Sequence, residues 1–294
     1  MIRLKLFAND YFYDPTFQMK VIKRDPELPY PLHSHDFYEL VFIVSGTGTH
    51  FTKENELALR PGNLFVIVPG MEHGYKDVND LVLYNILFGR RLFKDRFFDL
   101  TDMPGYQALF TIEPMYRNDT RFSSMLQLTP AQIAELLPLV DRMLAESDST
   151  EYNNGAKSIA FAYLMEFLVM TFRIYEETPR GDNQMILRLA DVFSYIESHT
   201  DQPVTTDELM EVANMSASTL NRYFQKCTGL SPIEFHTHKR IELACKLIRT
   251  TPLSMAAISD AAGFADPNYF SRQFRKVMNM SPREYKEDRA RWYR

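Results

Sequence analysis

The sequence predicts an α+β protein of several domains, with a β-barrel first, a pair of helices next and an all-helical C-terminal domain. Short strand-like runs fill residues 10–93, helical spacing begins near Pro130, and residues 209–285 contain an internal repeat. A chain of 294 residues has room for about two domains and a connector. The expected order is a barrel in residues 1–125, a helical segment in 126–178, a linker in 179–184 and a helical domain in 185–294.

Strand-like runs rich in β-branched and aromatic residues dominate the N-terminal part. They are Phe37–Val44, Thr49–Thr52, Glu56–Leu59, Asn63–Val68 and Leu81–Leu87. Turn residues separate them, and Ser45-Gly46-Thr47-Gly48 after the first run predicts a hairpin turn. Many short strands at close spacing are typical of a sandwich or barrel.

Two helices are predicted between the barrel and the C-terminal domain. Apolar residues recur at helical spacing from Ile133 to Leu144, and a second run from Ala156 to Tyr175 is apolar on most of its faces. The second helix has more apolar surface than one neighbour can cover, at Phe161, Leu164, Phe167, Leu168, Met170 and Phe172. We therefore expect this segment to pair two copies of the chain as a homodimer. The alternative is burial against the barrel and the preceding helix.

The C-terminal part contains two copies of one pattern at a constant offset of 50 residues. Residues 222–235 and 272–285 share an arginine, a phenylalanine, a lysine and a Ser-Pro pair. Capping residues precede the helices of both copies, at Thr205 to Glu208, Ser216, Ser254 and Asp266-Pro267. Each copy is therefore predicted to form a helix, a short turn and a second helix.

The second helix of each copy presents polar and basic residues opposite its buried aromatic residues. The first copy offers Ser218, Asn221 and Arg222, and the second offers Asn268, Arg272 and Arg275. Arginine can pair with guanine and asparagine with adenine through two hydrogen bonds, so such a face suits the major groove of DNA. Lys226, Lys276 and Arg275 are better placed for phosphates. The alternative, a helical domain with solvated charged faces, is disfavoured by the duplication.

The spacing of the two copies and their charge fit the same interpretation. The predicted helix Ile233–Arg249 between them spans about 25 Å, and with its flanking helices it can hold two recognition helices about one DNA turn, roughly 34 Å, apart. The whole chain has a net charge of −5, whereas Lys and Arg exceed Asp and Glu by two from Met185 onward. Affinity for DNA must therefore come from local placement of basic residues.

Residues 209–285 resemble the tandem helix-turn-helix domain of the AraC family of transcription regulators. The resemblance rests on Ile258 to Lys276, on Ser281-Pro282 with Tyr285, and on Arg240 and Ala244. It implies base contacts by Ser218, Arg222, Asn268 and Arg272. The sequence departs from the family pattern at Met210, Ser259 and Asn279, which affects helix packing and turn geometry.

A histidine cluster in the N-terminal part resembles the motifs of the cupin barrel. It comprises His33, His35, Glu39 and the later His73, although the first motif lacks its leading glycine and the second motif is looser. Alternate residues point to the same face of a strand, so His33 and His35 are expected to share one face. The resemblance implies an effector pocket at these four residues. Metal binding, as in metal-containing cupins, stays open as an alternative, and no cofactor is expected.

The barrel stretch is most similar to the sensor domains of sugar-responsive regulators of the L-rhamnose type, through His35 to Leu40 and Val78 to Asn85. The resemblance implies an activator that binds double-stranded promoter DNA under the control of a small molecule, expected to be a sugar, and that contacts RNA polymerase. Two alternatives are a metal-dependent cupin enzyme fused to a DNA-binding domain, and a metal or stress sensor.

The sequence also predicts a cytoplasmic protein without a membrane segment. The N-terminus has no sustained apolar run of the kind found in signal peptides. The most apolar stretch, Ile159–Phe172, is shorter than a bilayer span and contains Glu166. Two cysteines, Cys227 and Cys245, do not make a disulfide framework, which favours a reducing compartment.

Overall fold

The computed structural model describes residues 4–12, 14–89, 92, 99–116, 125–147, 155–178 and 184–288. It divides into two compact units, Met1–Leu187 and Arg188–Arg294. Strands dominate the first unit and helices the second, which confirms the predicted α+β class. The predicted linker, residues 179–184, lies outside the described residues except for Gln184, which begins a helix.

One sheet of eight strands forms the centre of the first unit within the described ranges. The strands are β1 (Leu4–Leu6), β2 (Met19–Arg24), β3 (Tyr30–His35), β4 (Tyr38–Phe51), β5 (Glu56–Leu59), β6 (Asn63–Ile67), β7 (His73–Phe88) and β8 (Leu126–Gln127). The long strands β4 and β7 pair with each other, β2 and β3 add to β7, and β5 and β6 add to β4. Side chains from β1, β2, β3, β4 and β7 line a common cavity, so the sheet curves around it as in the predicted barrel.

The predicted hairpin turn at Ser45-Gly46-Thr47-Gly48 is wrong, because β4 continues through all four residues. Gly46 has a φ of +75°, and the register against β7 shifts at three places between Ile43 and Thr49. These features mark bulges, which use glycine as hairpin turns do but leave the strand paired on both sides. The chain reverses later, where the Thr52 N–H donates to the Asn55 carbonyl at 2.8 Å, and β5 follows.

Helical segments follow and flank the sheet in the first unit. They are α1 (Ala8–Tyr11), α2 (Pro104–Tyr106), α3 (Glu113–Tyr116), α4 (Pro130–Ser147) and α5 (Ala156–Glu177), with a 3₁₀ turn at Leu100–Asp102 and a π-helical turn at Gln107–Ile112. The helices α4 and α5 begin where the change in periodicity places them. The helical residues between 100 and 116 were not predicted, because a π-helical turn in the middle of this stretch interrupts the regular helical period.

The helix α5 belongs largely to the core of its own unit. Leu164, Phe167, Leu168 and Phe172 are buried, whereas Phe161 and Met170 are half-buried. The Phe167 ring lies 6.1 Å from the ring of Phe42 on β4. By length and composition α5 is apolar enough to cross a membrane, a test that the core helix of a globular domain also passes.

Seven helices make up the remainder of the described chain: α6 (Gln184–Ser198), α7 (Thr206–Ala213), α8 (Ala217–Thr228), α9 (Pro232–Thr250), α10 (Met255–Ala261), α11 (Pro267–Met278) and α12 (Pro282–Glu287). The predicted caps are confirmed. The hydroxyl of Thr205 accepts from the Glu208 N–H, and that of Ser216 accepts from the Thr219 N–H. Asp266 caps α11, in which Pro267 is the first residue. The pairs α7–α8 and α10–α11 are the two predicted helix-turn-helix units.

The three departures from the family pattern fit this geometry. Asn279 ends α11 with a φ of +56°, a left-handed conformation that asparagine tolerates better than most residues. The Ser259 side chain is buried in α10, and its hydroxyl donates to the Phe264 carbonyl at 3.4 Å. Met210 is half-buried on α7. Each departure is therefore accommodated without a break in its helix.

Substitution of Gly46 by alanine is expected to destabilise the first unit. A Cβ at Gly46 overlaps the Asp80 carbonyl and lies 2.6 Å from the Leu81 Cα, in addition to the left-handed φ. Gly70→Ala is the matched control, because Gly70 has a φ of +91° with nothing within 4 Å of an added Cβ. Urea unfolding should show a loss of roughly 1–2 kcal/mol for Gly70→Ala, from conformation alone, and a larger loss for Gly46→Ala. Equal losses would contradict the bulge interpretation.

Candidate functional site

The two helices α8 and α11 carry the predicted DNA-contacting residues on equivalent faces. All eight are exposed: Ser218, Asn221, Arg222, Lys226, Asn268, Arg272, Arg275 and Lys276. Leu220 and Phe224 are buried on the opposite side of α8, as are Phe270 and Phe274 on α11. A spacing of four residues places Ser218 with Arg222, and Asn268 with Arg272, as neighbours on one face of each helix.

Three arginines converge beside the second of these helices. Arg272 and Arg275 on α11 line an open groove together with Arg283 on α12. Asn268 and Ser271 line the same groove and supply shorter polar side chains. The groove therefore combines donors suited to base edges with donors suited to phosphates.

Asn221 and Lys276, among the predicted contact residues, have polar partners within the protein. The Asn221 amide donates to the Ala217 carbonyl on its own helix at 3.0 Å. The Lys276 ammonium lies 3.6 Å from the Glu234 carboxylate, and both side chains are largely exposed. An exposed ion pair of this kind is weak, so Lys276 can exchange Glu234 for a phosphate. Asn221 must first break its hydrogen bond to the Ala217 carbonyl before its amide can contact DNA.

The helix α9 joins the two helix-turn-helix units. Its 19 residues span about 28 Å. Arg240 on α9 is buried, its guanidinium lies 3.8 Å from the Phe264 ring centroid, and its Nε donates to the Ala262 carbonyl at 3.0 Å. A second nitrogen donates to the Gly263 carbonyl. Arg240 therefore ties the joining helix to the turn between α10 and α11.

The predicted effector residues meet at the wall of a single cavity in the first unit. His33 and His35 on β3, together with Glu39 on β4, line this cavity. His73 on β7 is fully buried beside them, and its register partner across the strands is His33. The rings of His33 and His73 lie 4.1 Å apart. Residues that are up to 40 positions apart in sequence are thus brought together by strand pairing.

Backbone carbonyls hold the orientation of the three imidazoles. His33 Nδ1 donates to Pro31, His35 Nδ1 to Phe37 and His73 Nδ1 to Met71, at 3.0, 2.7 and 3.3 Å. Each carbonyl lies two residues from its histidine. Because a carbonyl only accepts, Nδ1 is the protonated nitrogen in each ring. The Nε2 atoms are thereby left to face the interior.

Glu39 supplies a carboxylate at the centre of the cluster. Its Oε2 lies 3.0 Å from His35 Nε2 and 3.7 Å from His73 Nε2. Burial lowers the pKa of His33 and lowers that of His73 well below the usual histidine value. Ligand atoms of His33, Glu39 and His73 lie within 4.8 Å of one another, so these three residues are the candidate ligands for a metal ion.

Comparison with known proteins places both units in one family. Residues 20–168 match the AraC-like ligand binding domain, half of the chain, and residues 209–288 match a helix-turn-helix domain. The chain belongs to the AraC family of transcription regulators. The HTH-type transcriptional activator RhaR of Mannheimia succiniciproducens is 26% identical over 283 residues, 96% of each protein. The HTH-type transcriptional activator RhaS of an Enterobacter species is 27% identical over 285 residues, 97% of each.

Among solved structures, the DNA-binding domain of AdpA in complex with a target DNA is 28% identical to this chain. The alignment covers 35% of this chain and 95% of that domain, with a TM-score of 0.34.

The cavity of this AraC-family chain has polar residues that the sequence analysis missed. Tyr11, Arg24, Glu27, Tyr30 and Asn85 also line it. Burial raises the pKa of both Tyr11 and Glu27. These residues come from separate elements and form no motif, so no pattern in the sequence identified them.

Proposed function

We propose that this AraC-family regulator activates transcription from an operator that it reads with α8 and α11, under the control of a sugar in the cavity of the first unit. The observation that carries the DNA part is the exposure of equivalent polar faces on two duplicated helices. In this proposal Arg222 and Arg272 contact bases, with Ser218 and Asn268 one turn away on the same faces. Phosphates are contacted by Lys226, Lys276 and Arg275. Asn221 adds a contact once its side chain breaks the hydrogen bond to the Ala217 carbonyl.

Each of the two candidate arginines lies near an aromatic ring, which leaves its hydrogen-bond donors available for bases. The guanidinium of Arg222 lies 5.1 Å from the ring centroid of Tyr223, and that of Arg272 lies 5.9 Å from the ring centroid of Tyr269. Stacking on an aromatic ring restricts an arginine without using its hydrogen-bond donors for another acceptor. The donors therefore stay available for the two acceptors of a guanine.

Substitution of each arginine should weaken one segment of the operator. With the full-length protein, Arg222→Ala and Arg272→Ala are each expected to cost roughly 1–3 kcal/mol, because a bidentate base contact is lost. The measurement is fluorescence anisotropy on operator fragments selected from a promoter library, combined with footprinting of the two segments. Lys246→Ala, at an exposed position on α9, is the matched control and should leave affinity unchanged. An equal loss on unrelated DNA would show that the arginines contact only phosphates.

A neutral sugar suits the cavity because its polar groups can both donate and accept hydrogen bonds. Tyr11, Tyr30, Asn85 and the histidines surround the space, and the apolar side chains Leu6, Ile22, Phe37 and Leu87 complete its wall. The Asn85 Oδ1 is buried without a hydrogen-bond partner among the described residues. A sugar hydroxyl is the kind of donor that would satisfy it. The two carboxylates, Glu27 and Glu39, outnumber Arg24 and disfavour an anionic effector.

Asn85→Leu should weaken sugar binding by about 10–100-fold, because the near-isosteric side chain removes the hydrogen bonds of one buried amide. Isothermal titration with a panel headed by L-rhamnose and its epimers measures the affinity. Asn79→Leu makes the same change at an exposed position of β7 and should bind the sugar as the unaltered protein does. If no member of the panel binds the unaltered protein, the sugar proposal fails while the DNA proposal stands.

A homodimer through α5 is part of the same proposal. Ile159 is 41% exposed, and Tyr163, Val169 and Met170 on α5 are half-buried. Their spacing places them along one stripe of the helix, interrupted by the exposed Glu166. A second copy of α5 would cover this stripe, and two copies together would present two operator-binding domains.

Ile159→Glu should weaken the dimer at least about tenfold, since the added carboxylates oppose each other and Glu166 across a shared apolar interface. Sedimentation velocity at micromolar concentration distinguishes monomer from dimer. Met115→Glu is the control, because Met115 is 44% exposed elsewhere in the same unit. A protein that sediments only as a monomer before any substitution would overturn the dimer proposal.

Activation implies contact with RNA polymerase. The relatives named above are transcriptional activators, and their similarity to this chain extends over nearly its full length. We therefore propose RNA polymerase as a partner at promoters that carry the operator, and a cytoplasmic site of action. A reconstituted transcription assay, with and without the effector, tests whether the sign of regulation is positive.

A further inference from the structure

An exposed aromatic ring lies near the start of the second recognition helix. Tyr269 is the third residue of α11, and it is 39% exposed. Asn268 and Arg272, the base contacts proposed on this helix, lie one residue before it and three residues after it. Residues three apart on a helix are surface neighbours. Tyr269 therefore lies beside Arg272, at the end of α11 whose residues reach base edges in helix-turn-helix proteins.

The ring of Tyr269 is supported by the segment that precedes α11. Its centroid lies 6.1 Å from that of Phe264, which is buried. The guanidinium of the buried Arg240 lies 3.8 Å from the centroid of the Phe264 ring. The guanidinium of Arg272 lies 5.9 Å from the Tyr269 centroid. Contacts at these distances restrict the Tyr269 ring, which lowers the entropy that the side chain loses when it binds a partner.

The first recognition helix has a threonine at the equivalent position. The offset of 50 residues between the two copies aligns Thr219 of α8 with Tyr269. Thr219 is half-buried, and the Ser216 hydroxyl donates to its Oγ1 at 2.9 Å, so its hydroxyl belongs to the cap of α8. The duplicated units therefore differ at a residue that adjoins one base-contacting arginine. The two operator segments are expected to differ at the corresponding base pair.

We propose that Tyr269 is a specificity-determining residue, whose ring packs against the C5-methyl group of a thymine next to the base pair contacted by Arg272. That methyl is the apolar group that base edges present in the major groove. Three residues of helix rise about 4.5 Å, close to the roughly 3.4 Å between successive base pairs, so the two side chains meet neighbouring base pairs. The proposal rests on the proposed function, since it requires α11 to lie in the major groove.

The surroundings of Tyr269 favour a methyl group over a phosphate as its contact. Arg275 and Arg283 line the open groove that suits phosphates, and Tyr269 does not belong to its lining. The ring of Tyr269 instead lies next to the apolar ring of Phe264. A phosphate would bind only the phenol hydroxyl, whereas a thymine methyl contacts the ring. Tyr269→Phe separates these two uses, because it removes the hydroxyl and keeps the ring.

The experiment measures how much each thymine methyl contributes to binding of the full-length protein. An operator is selected from a promoter library, and its second segment is the one whose footprint is lost in Arg272→Ala. Each thymine of that segment is replaced singly by deoxyuridine, which lacks the methyl group and keeps every hydrogen-bonding group. Fluorescence anisotropy gives the affinity of each duplex. For the unaltered protein, one replacement should weaken binding about fourfold, the value of burying one methyl group.

Two substitutions test whether Tyr269 is the partner of that methyl group. In Tyr269→Ala, the thymine and deoxyuridine duplexes should bind equally, both at least about fourfold more weakly than the unaltered protein binds the thymine duplex. In Tyr269→Phe, the preference for thymine should persist. A purely structural role of Tyr269 would lower the affinity for both duplexes by the same factor and leave the preference unchanged.

Leu253→Ala is the matched control. Leu253 is another large apolar residue of the second unit, and it is 37% exposed. This variant should keep both the affinity for the operator and the preference for thymine. Thermal unfolding shows whether each variant is folded.

The proposal is overturned if no thymine of the second segment contributes through its methyl group, or if the preference for thymine survives in Tyr269→Ala. It is also overturned if Tyr269→Phe loses as much affinity as Tyr269→Ala, since the hydroxyl then makes the contact. In each of these cases specific operator binding is intact and the proposed function stands. Absence of any specific operator for the unaltered protein would overturn the proposed function, and this inference with it.

Discussion

The antiparallel pairing of β4 with β7 is the constraint on which the first unit depends. Four of the other six strands in the described residues pair directly with one of these two, and the cavity lies within the curve that they create. The pairing is kept over its whole length by the bulges around Gly46, which bend the strands without ending them. The same two strands contribute Glu39, His73 and Asn85 to the site, so the curvature of the sheet and the chemistry of the cavity have one origin.

In the second unit, a duplicated local pattern places two short helices. Each recognition helix begins at a side-chain cap and buries its aromatic residues on one side, which leaves the opposite side to arginine and asparagine. The joining helix α9 links the copies, and its buried Arg240 fixes the turn of the second copy through two backbone carbonyls. Local sequence thus shapes each helix, and one buried cation ties α9 to the second helix-turn-helix unit.

Sequence reasoning succeeded where the determining interactions are local. Caps at Thr205, Ser216 and Asp266 act within three residues, and the helical period of α4 and α5 is visible in any short window. It failed at Ser45 to Gly48, because glycine with positive φ serves both a turn and a bulge and only the partner strand decides between them. It also attributed to the surface of α5 several residues, such as Phe167 and Phe172, that the structure buries within the same unit.

The sequence by itself determined the α+β class, the two helix-turn-helix units, the exposed faces of α8 and α11, and the family to which they belong, since each is recorded in periodicity, capping residues and motifs that can be read along the chain. Only the tertiary structure decided that His33, Glu39 and His73 converge, that Asn85 and Glu27 share their cavity, and that the imidazole nitrogens face a carboxylate. Strand register sets those distances, and register depends on hydrogen bonds between segments far apart in the chain, which no local pattern contains.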